Sequence, residues 1–199
     1  MRKLVYLIAS TIDGFIADPG GHDPSGPDGF LRADQDYLEH LISEYPETLP
    51  GQLRPVLGIQ AENRHFDAVV MGRATDELGV RVGVTSPYPQ LRQYVVSRTM
   101  AERPDPAVEV IRGDPVAAVQ ELKRGEGGEG KDIWLCGGGK LAGALRPEID
   151  ELVVKLHPVA VGSGVPLFDG AFQPFRFRLT GSHISPSGVL FLTYASAGG

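Results

Sequence analysis

A chain of 199 residues, 42% hydrophobic and 22% charged, is long enough for one substantial domain and too short for two comfortable ones. Its net charge of -6, with no long run of like charges, argues against a general nucleic-acid surface, and no apolar run approaches the length of a membrane span. The single cysteine, Cys136, rules out an intrachain disulfide and suits a cytoplasmic setting, and the first apolar stretch is too short for a signal segment.

In chain order, Leu4–Ala9 reads as a buried strand, Asp13-Gly14 as a turn, and Phe15–Ala17 as a return to apolar character. Residues 18–29, rich in Asp, Gly and Pro, predict a long loop of the kind that often serves as a functional lid. Residues 34–44 have helical spacing, with Tyr37, Leu38, Leu41 and Ile42 on one face, and residues 45–65 predict loop plus a short helix near 56–64. Phe66–Met71, Leu91–Val96 and Val108–Ile111 predict three further strands. Asp114 followed by Pro115 signals a helix start, with the helix running to Lys123. After a glycine-rich charged turn over 125–131, Ile133–Cys136 predicts a fifth strand, followed by a helix from Lys140 to near Pro147. Leu152–Leu156 and Val159–Val161 are strand-like. Phe175–Ile184 and Val189–Ala195 flank Ser185–Gly188, which reads as a turn between antiparallel strands, and residues 195–199 read as a frayed end. Strands alternating with helices and closing on a hairpin predict a three-layer α-β-α domain over 1–199, its mostly parallel central sheet carrying an antiparallel C-terminal edge.

The most informative stretch is Cys136-Gly137-Gly138-Gly139-Lys140, where a strand stops at three glycines and Leu141, Ala144 and Leu145 then share a helical face. Such a turn can cradle an anion, because glycines admit a ligand to the backbone and the first helical amides lack intrahelical partners. It can equally be a tight connection that binds nothing. Gly137, Gly139 and Ala142 also fit the dinucleotide-fold fingerprint. That fingerprint expects an acid about 20 residues later, where this chain has Lys155-Leu156-His157-Pro158.

Three other strand ends carry small or polar groups: Ala9-Ser10-Thr11-Ile12-Asp13-Gly14, Met71-Gly72-Arg73-Ala74-Thr75, and Val96-Ser97-Arg98. Together with Asp150-Glu151-Leu152 and Gly162–Phe168, the four segments resemble the dihydrofolate reductase superfamily. The nearer similarity is to the reductase domain of riboflavin biosynthesis and its single-domain relatives. The resemblance implies a dihydrofolate reductase-like fold and an NADPH-dependent reductase acting on a small heterocyclic molecule. It implies Ala9 and Ile16 at the nicotinamide, and Gly72, Arg73, Ala74 and Thr75 opening a phosphate-facing helix. Ser97 and Arg98 would meet the adenosine 2′-phosphate, and Gly137, Gly138, Gly139, Lys140 and Leu141 the pyrophosphate. It also implies a homodimer. Arginine suits phosphate independently of the resemblance, since its fork donates two parallel hydrogen bonds. The alternatives are a non-catalytic nucleotide-binding module with the same pocket and a Rossmann-type dehydrogenase.

The proton donor is not evident. Asp36 and Asp34 are the candidates by position, although Asp34 also reads as a helix N-cap and Asp36 as a first-turn dipole partner. The tryptophan-rich signature of folate enzymes is missing, since the single Trp134 lies in a strand. Arg32, Lys155 and His157 are available as cations for an anionic substrate, and each reads equally well as a rim residue. One cysteine cannot supply a zinc deaminase motif, so the sequence reads as a lone reductase domain. The five scattered histidines show no ligand spacing, predicting no metal. Cys136 reads as a buried small hydrophobe rather than a nucleophile.

Overall fold

Strand-forming runs and helix-forming runs alternate along the chain, and the computed structural model assembles them into layers. It describes all residues except 27, 101, 102, 104, 126–129, 198 and 199. The strands are β1 (Leu4–Thr11), β2 (Phe15–Ala17), β3 (Phe66–Gly72), β4 (Arg92–Val96), β5 (Val108–Ile111), β6 (Asp132–Gly137), β7 (Ile149–His157), β8 (Val165–Pro166), β9 (Phe177–Ile184) and β10 (Leu190–Ser196). The α-helices are α1 (Gln35–Glu44), α2 (Leu53–Val56), α3 (Arg73–Arg81), α4 (Pro115–Arg124) and α5 (Gly139–Ala144).

Eight strands form one sheet in the order β5-β4-β3-β6-β1-β7-β10-β9. Every neighbour pair from β5 to β7 is parallel, while β10 runs against both β7 and β9. A parallel sheet must be covered on both faces, and alternation along each strand supplies an apolar set to each. Leu4, Tyr6, Val70 and Leu135 face Val119 of α4 and Leu141 and Ala142 of α5. Val5, Leu7, Val69 and Trp134 form the opposite cluster. On that side Tyr37 and Leu41 of α1 pack against Val189 and Phe191, so the expected apolar face of α1 is core.

Two features of this order prepare the site. β6 inserts between β1 and β3, so the turns after β3 and β6 are immediate neighbours although about sixty residues separate them in the chain. The C-terminal ends of all the parallel strands lie on one sheet edge, which is where open α/β sheets bind ligands.

Several sequence expectations shift. Instead of a helix over 56–64, a single turn of 3-10 helix spans Pro46–Thr48 and α2 spans Leu53–Val56, because Gly58 takes a positive φ of 66° and ends the helix there. Val159–Val161 is not a strand. Pro158 interrupts the ladder, and the amides of Val161 and Gly162 bond the Asp13 carboxylate at 3.0 and 2.7 Å instead of a neighbouring strand. The short β8, paired with β2, has no counterpart among the expected strands. Asp114 caps α4 as expected, its carboxylate accepting from the Val116 amide at 3.0 Å. The Ser185–Gly188 turn closes through Ser185 N–H to Val189 O at 2.9 Å. Most of the 125–131 turn, the last two residues of the expected frayed end and Pro27 of the long loop lie outside the described residues.

Candidate active site

β3 stops at Gly72 and β6 at Gly137, and Met71 stands in register with Gly137. A β-carbon built on Gly72 would lie 3.5 Å from both Gly137 O and Gly138 N, so the two glycine turns share one crevice. Thr75, one turn into α3, reaches over it: its Oγ1 is 3.8 and 3.7 Å from the β-carbon positions of Gly137 and Gly138. The Gly137-Gly138 peptide is cis. α3 starts at Arg73 behind Gly72, and α5 starts at Gly139 behind Gly138, and neither start has a side-chain cap. Both sets of first-turn amides are thus left to an external acceptor or to water.

The three consecutive glycines play different parts. Gly137 and Gly138 have only side-chain atoms of Ile8 and Thr75 near their β-carbon positions, at 3.6 Å or more. Gly139 instead backs onto main chain: its β-carbon would stand 2.2 Å from Pro166 O, and its own carbonyl accepts from Asp169 N at 3.0 Å. Gly139 is the glycine that lets the 166–169 segment close against the sheet.

The remaining residues implied at the cofactor lie on α3, α5, β1, β2 and the end of β4. Arg73 is exposed, within 3.4 Å of Glu77 and donating to Thr99 Oγ1 at 3.2 Å. Ala74 and Lys140 are exposed, Thr75 is half-buried and Leu141 is buried in the core. Ser97 is buried at the end of β4, and its hydroxyl oxygen accepts from the amides of Met100 and Thr99 at 3.1 and 3.4 Å. That bonding holds the strand exit and leaves the hydroxyl proton free to donate. Arg98 follows it, exposed on the same edge. Ala9 lies half-buried on β1, and Ile16 is buried on β2.

The Thr11-Asp13-Gly14 motif is architectural. Thr11 Oγ1 donates to Asp13 at 2.6 Å and accepts from Phe15 N at 2.9 Å, while Gly14 takes a positive φ of 84° that a side chain would disfavour. The Thr11 hydroxyl, followed by the Gly162 amide, holds the exposed Asp13 carboxyl below its ordinary range. The 161–164 loop is thereby anchored to the end of β1.

Of the two acids considered as proton donors, Asp36 is engaged elsewhere. Asp36 accepts both the amide and the hydroxyl of Ser187 at 2.8 Å, contacts that lower its pKa and keep it ionised. Asp34 occupies the N-cap position of α1 without making a cap hydrogen bond, and it lies at the rim of a cleft beyond β7. Asp36 ties α1 to the β9–β10 turn across 151 positions of sequence. Asp36→Ala is therefore expected to lower the melting temperature by a few degrees and to speed amide exchange over 185–188, read by thermal denaturation and hydrogen exchange. Unchanged exchange there would show that the contact does not hold the turn.

His157 corrects its expectation as a cation. It is 3% exposed, and burial followed by the nearby Lys155 charge pushes its pKa down to about 4, so the ring is neutral at physiological pH. Cys136 is no nucleophile: burial pushes its thiol up to about 11, with the Tyr88 hydroxyl 4.0 Å away. Among the described residues no group of three or more His, Cys, Asp or Glu is placed to hold a metal ion, and no helix is long and apolar enough to cross a membrane. The buried state of His157 and the Asp36–Ser187 tie have no local signature in the chain, since both depend on how β7 and β10 pack beneath α1.

Residues 2–191 match the RibD C-terminal domain. The chain belongs to the RibD C-terminal domain family. Within it, the protein is 33% identical to YyaP of Bacillus subtilis, covering 97% of this chain and 94% of that protein. It is 28% identical to YwjB of the same organism, with 91% of each covered; both are described as uncharacterized. A putative riboflavin biosynthesis protein from Shewanella sp. PV-4 shares the fold with a TM-score of 0.66 at 24% identity, covering 98% of this chain and 99% of that one. A pyrimidine reductase-like protein from Corynebacterium diphtheriae superposes with a TM-score of 0.61 at 18% identity, covering 98% and 92%. The Thermotoga maritima diaminohydroxyphosphoribosylaminopyrimidine deaminase/5-amino-6-(5-phosphoribosylamino)uracil reductase superposes at 0.62 and 17% identity, where this RibD C-terminal domain spans 57% of the longer chain.

Proposed function

We propose that this RibD C-terminal domain protein is an NADPH-dependent reductase of a small heterocyclic molecule. The observation that carries the reading is the shared crevice of Gly72 and Gly138, entered by the uncapped starts of α3 and α5. A pyrophosphate fits there on three counts. Glycine main chain can be approached closely, the first-turn amides of α3 and α5 lack a side-chain cap, and the nine-residue α3 contributes the positive end of its dipole. The exposed Arg73 and Arg98 stand beyond the ends of β3 and β4, on the same sheet edge, and can answer an additional phosphate on the adenosine. Ala9, near the C-terminal end of β1, and Ile16, on the β2 that follows it, would meet the flat nicotinamide. When bound, the cofactor would supply the hydride; the protein's part is orientation, electrostatics and exclusion of water.

Cofactor discrimination tests the reading. Dissociation constants for NADPH and NADH are measured by titration of the wild type and of Arg98→Ala. The wild type is expected to prefer NADPH. The variant is expected to lose about 1.5–3 kcal/mol of NADPH affinity, roughly a 10- to 150-fold rise in Kd, with NADH unaffected. Equal losses for both cofactors would remove Arg98 from the 2′-phosphate, and absence of NADPH binding by the wild type would refute the reading.

A further inference from the structure

β3 lies between β4 and β6 in the sheet, and α3 begins directly at its end. Thr75 and Asp76 are successive residues of α3, about 100° apart around its axis, and so meet different neighbours. Thr75 reaches over the glycine turn after β6. Asp76 meets Arg103, in the connection from β4 to β5, with Oδ1 3.0 Å from Nη2. The pair is buried, with 0% of the Asp76 side chain and 5% of the Arg103 side chain exposed. Arg103 also donates to the carbonyl of Thr85, beyond the end of α3, at 2.7 Å.

Stability does not account for this pair. Desolvating two charges largely offsets their attraction, and apolar side chains of similar size in the same place are often as stable or more so. The compensating hydrogen bonds are also few: among the described residues, neither oxygen of Asp76 nor Nε of Arg103 has a hydrogen-bond partner. Position is what distinguishes the pair. Between β4 and Arg103 the chain carries Ser97 and Arg98, and the Ser97 hydroxyl oxygen accepts from the amides of Thr99 and Met100. Met100 packs against the Trp134 cluster, and Thr99 Oγ1 accepts from Arg73 at the start of α3. Arg98 is therefore carried on a short span with two links to α3. The Arg73 link is solvent-exposed and shared with Glu77 at 3.4 Å, which leaves it weak. The Asp76–Arg103 link is shielded from solvent and cannot open without leaving a buried charge unpaired.

We propose that Asp76 and Arg103 are positioning residues: the pair fixes the Arg98 segment against α3, and so sets the distance between the glycine crevice and the cation that meets the adenosine 2′-phosphate. The pyrophosphate and the 2′-phosphate are joined by a ribose of fixed reach. An arginine displaced by about an ångström therefore loses the two-pronged geometry that recognises the second phosphate. Cofactor preference is then governed in part by a buried contact that touches no cofactor atom. The proposal rests on the reductase reading and adds to it the device that holds Arg98 in place.

The test is the double substitution Asp76→Leu with Arg103→Met, which removes both charges and keeps the space filled. It is expected to unfold in urea at or above the wild-type midpoint, yet to lose about tenfold of the preference for NADPH over NADH, read as the ratio of the two Kd values. The amides of Thr99 and Met100 are expected to exchange faster in it without any cofactor present. Introduced into Arg98→Ala, the double substitution is expected to leave the ratio where Arg98→Ala alone puts it, because it acts through Arg98. A double variant that keeps the wild-type ratio, with both cofactors unchanged or weakened equally, overturns the proposal. So does a drop in ratio that adds to that of Arg98→Ala, and so does a double variant that cannot fold, since the pair is then structural. A wild-type protein that binds no NADPH removes the reductase reading instead. Exchange at Thr99 and Met100 then decides the positioning pair by itself: faster exchange in the double variant keeps it, and unchanged exchange overturns it.

Discussion

Gly139→Ala is expected to cost about 3 kcal/mol or more, a large fraction of the roughly 5–15 kcal/mol that holds an ordinary domain folded. The new β-carbon would sit 2.2 Å from the carbonyl oxygen of Pro166, and main chain cannot rotate away as a side chain can. Moving the 166–169 segment would also break the Asp169 N–H to Gly139 O bond and the contact of the Tyr6 hydroxyl with Leu167 O at 3.0 Å. Gly143, one helical turn on, faces the same constraint, with its β-carbon position 2.0 Å from Asp169 O. Gly72→Ala provides the contrast. Its backbone has an ordinary φ of -77°, and its β-carbon would meet nothing nearer than 3.5 Å. That variant is expected to unfold at nearly the wild-type urea midpoint while its methyl group occupies the crevice and weakens NADPH. A Gly139→Ala protein with the wild-type urea midpoint would show that the 166–169 segment does not close on α5 as described.

The second large effect is acid destabilisation through His157. In the unfolded chain this imidazole titrates near its ordinary 6.5, and in the fold near 4. Between those values the unfolded state takes up a proton that the folded state refuses. Its contribution to stability is therefore complete above pH 6.5 and is lost as pH falls toward 4. At about 1.36 kcal/mol for each pH unit of that interval, the loss is roughly 3 kcal/mol. Burial also lowers the pKa of His40, which stacks on His183 with ring centroids 3.7 Å apart, so wild-type stability falls below pH 6.5 for a second reason. The difference between wild type and His157→Gln isolates the first. Urea denaturation at about pH 7 and about pH 4.5, on either side of the unfolded-state titration, is expected to show a markedly smaller drop for the variant. Equal drops would mean that His157 is protonated in the native protein.

Much of the fold was legible because it is written locally. Apolar runs such as Leu4–Ala9, Phe66–Met71 and Ile133–Cys136 carry the strand signal in their own residues, and Asp114-Pro115 carries a helix start in two. Where tertiary contacts compete with local chemistry, the local signal misleads. Val159–Val161 has strand composition, yet the Val161 amide is taken by Asp13, a residue nearly 150 positions earlier. The short helix expected near 56–64 is absent, because Gly58 stops α2 at Val56.

The candidate site divides along the same line. The residue sequence alone determined that glycine-terminated strands and nearby arginines exist, and with them the family and the kind of ligand to expect, since a glycine turn before a helix has the same backbone chemistry in any fold. Only the tertiary structure decided which of those glycines stay open and which admits a neighbouring segment. It alone decided that Asp36 is spent on Ser187, and that the buried His157 ring is neutral. The physical reason is that burial and partner choice depend on strand order. The insertion of β6 beside β3 and of β7 beside β1 and β10 is a global arrangement that no short stretch of sequence encodes.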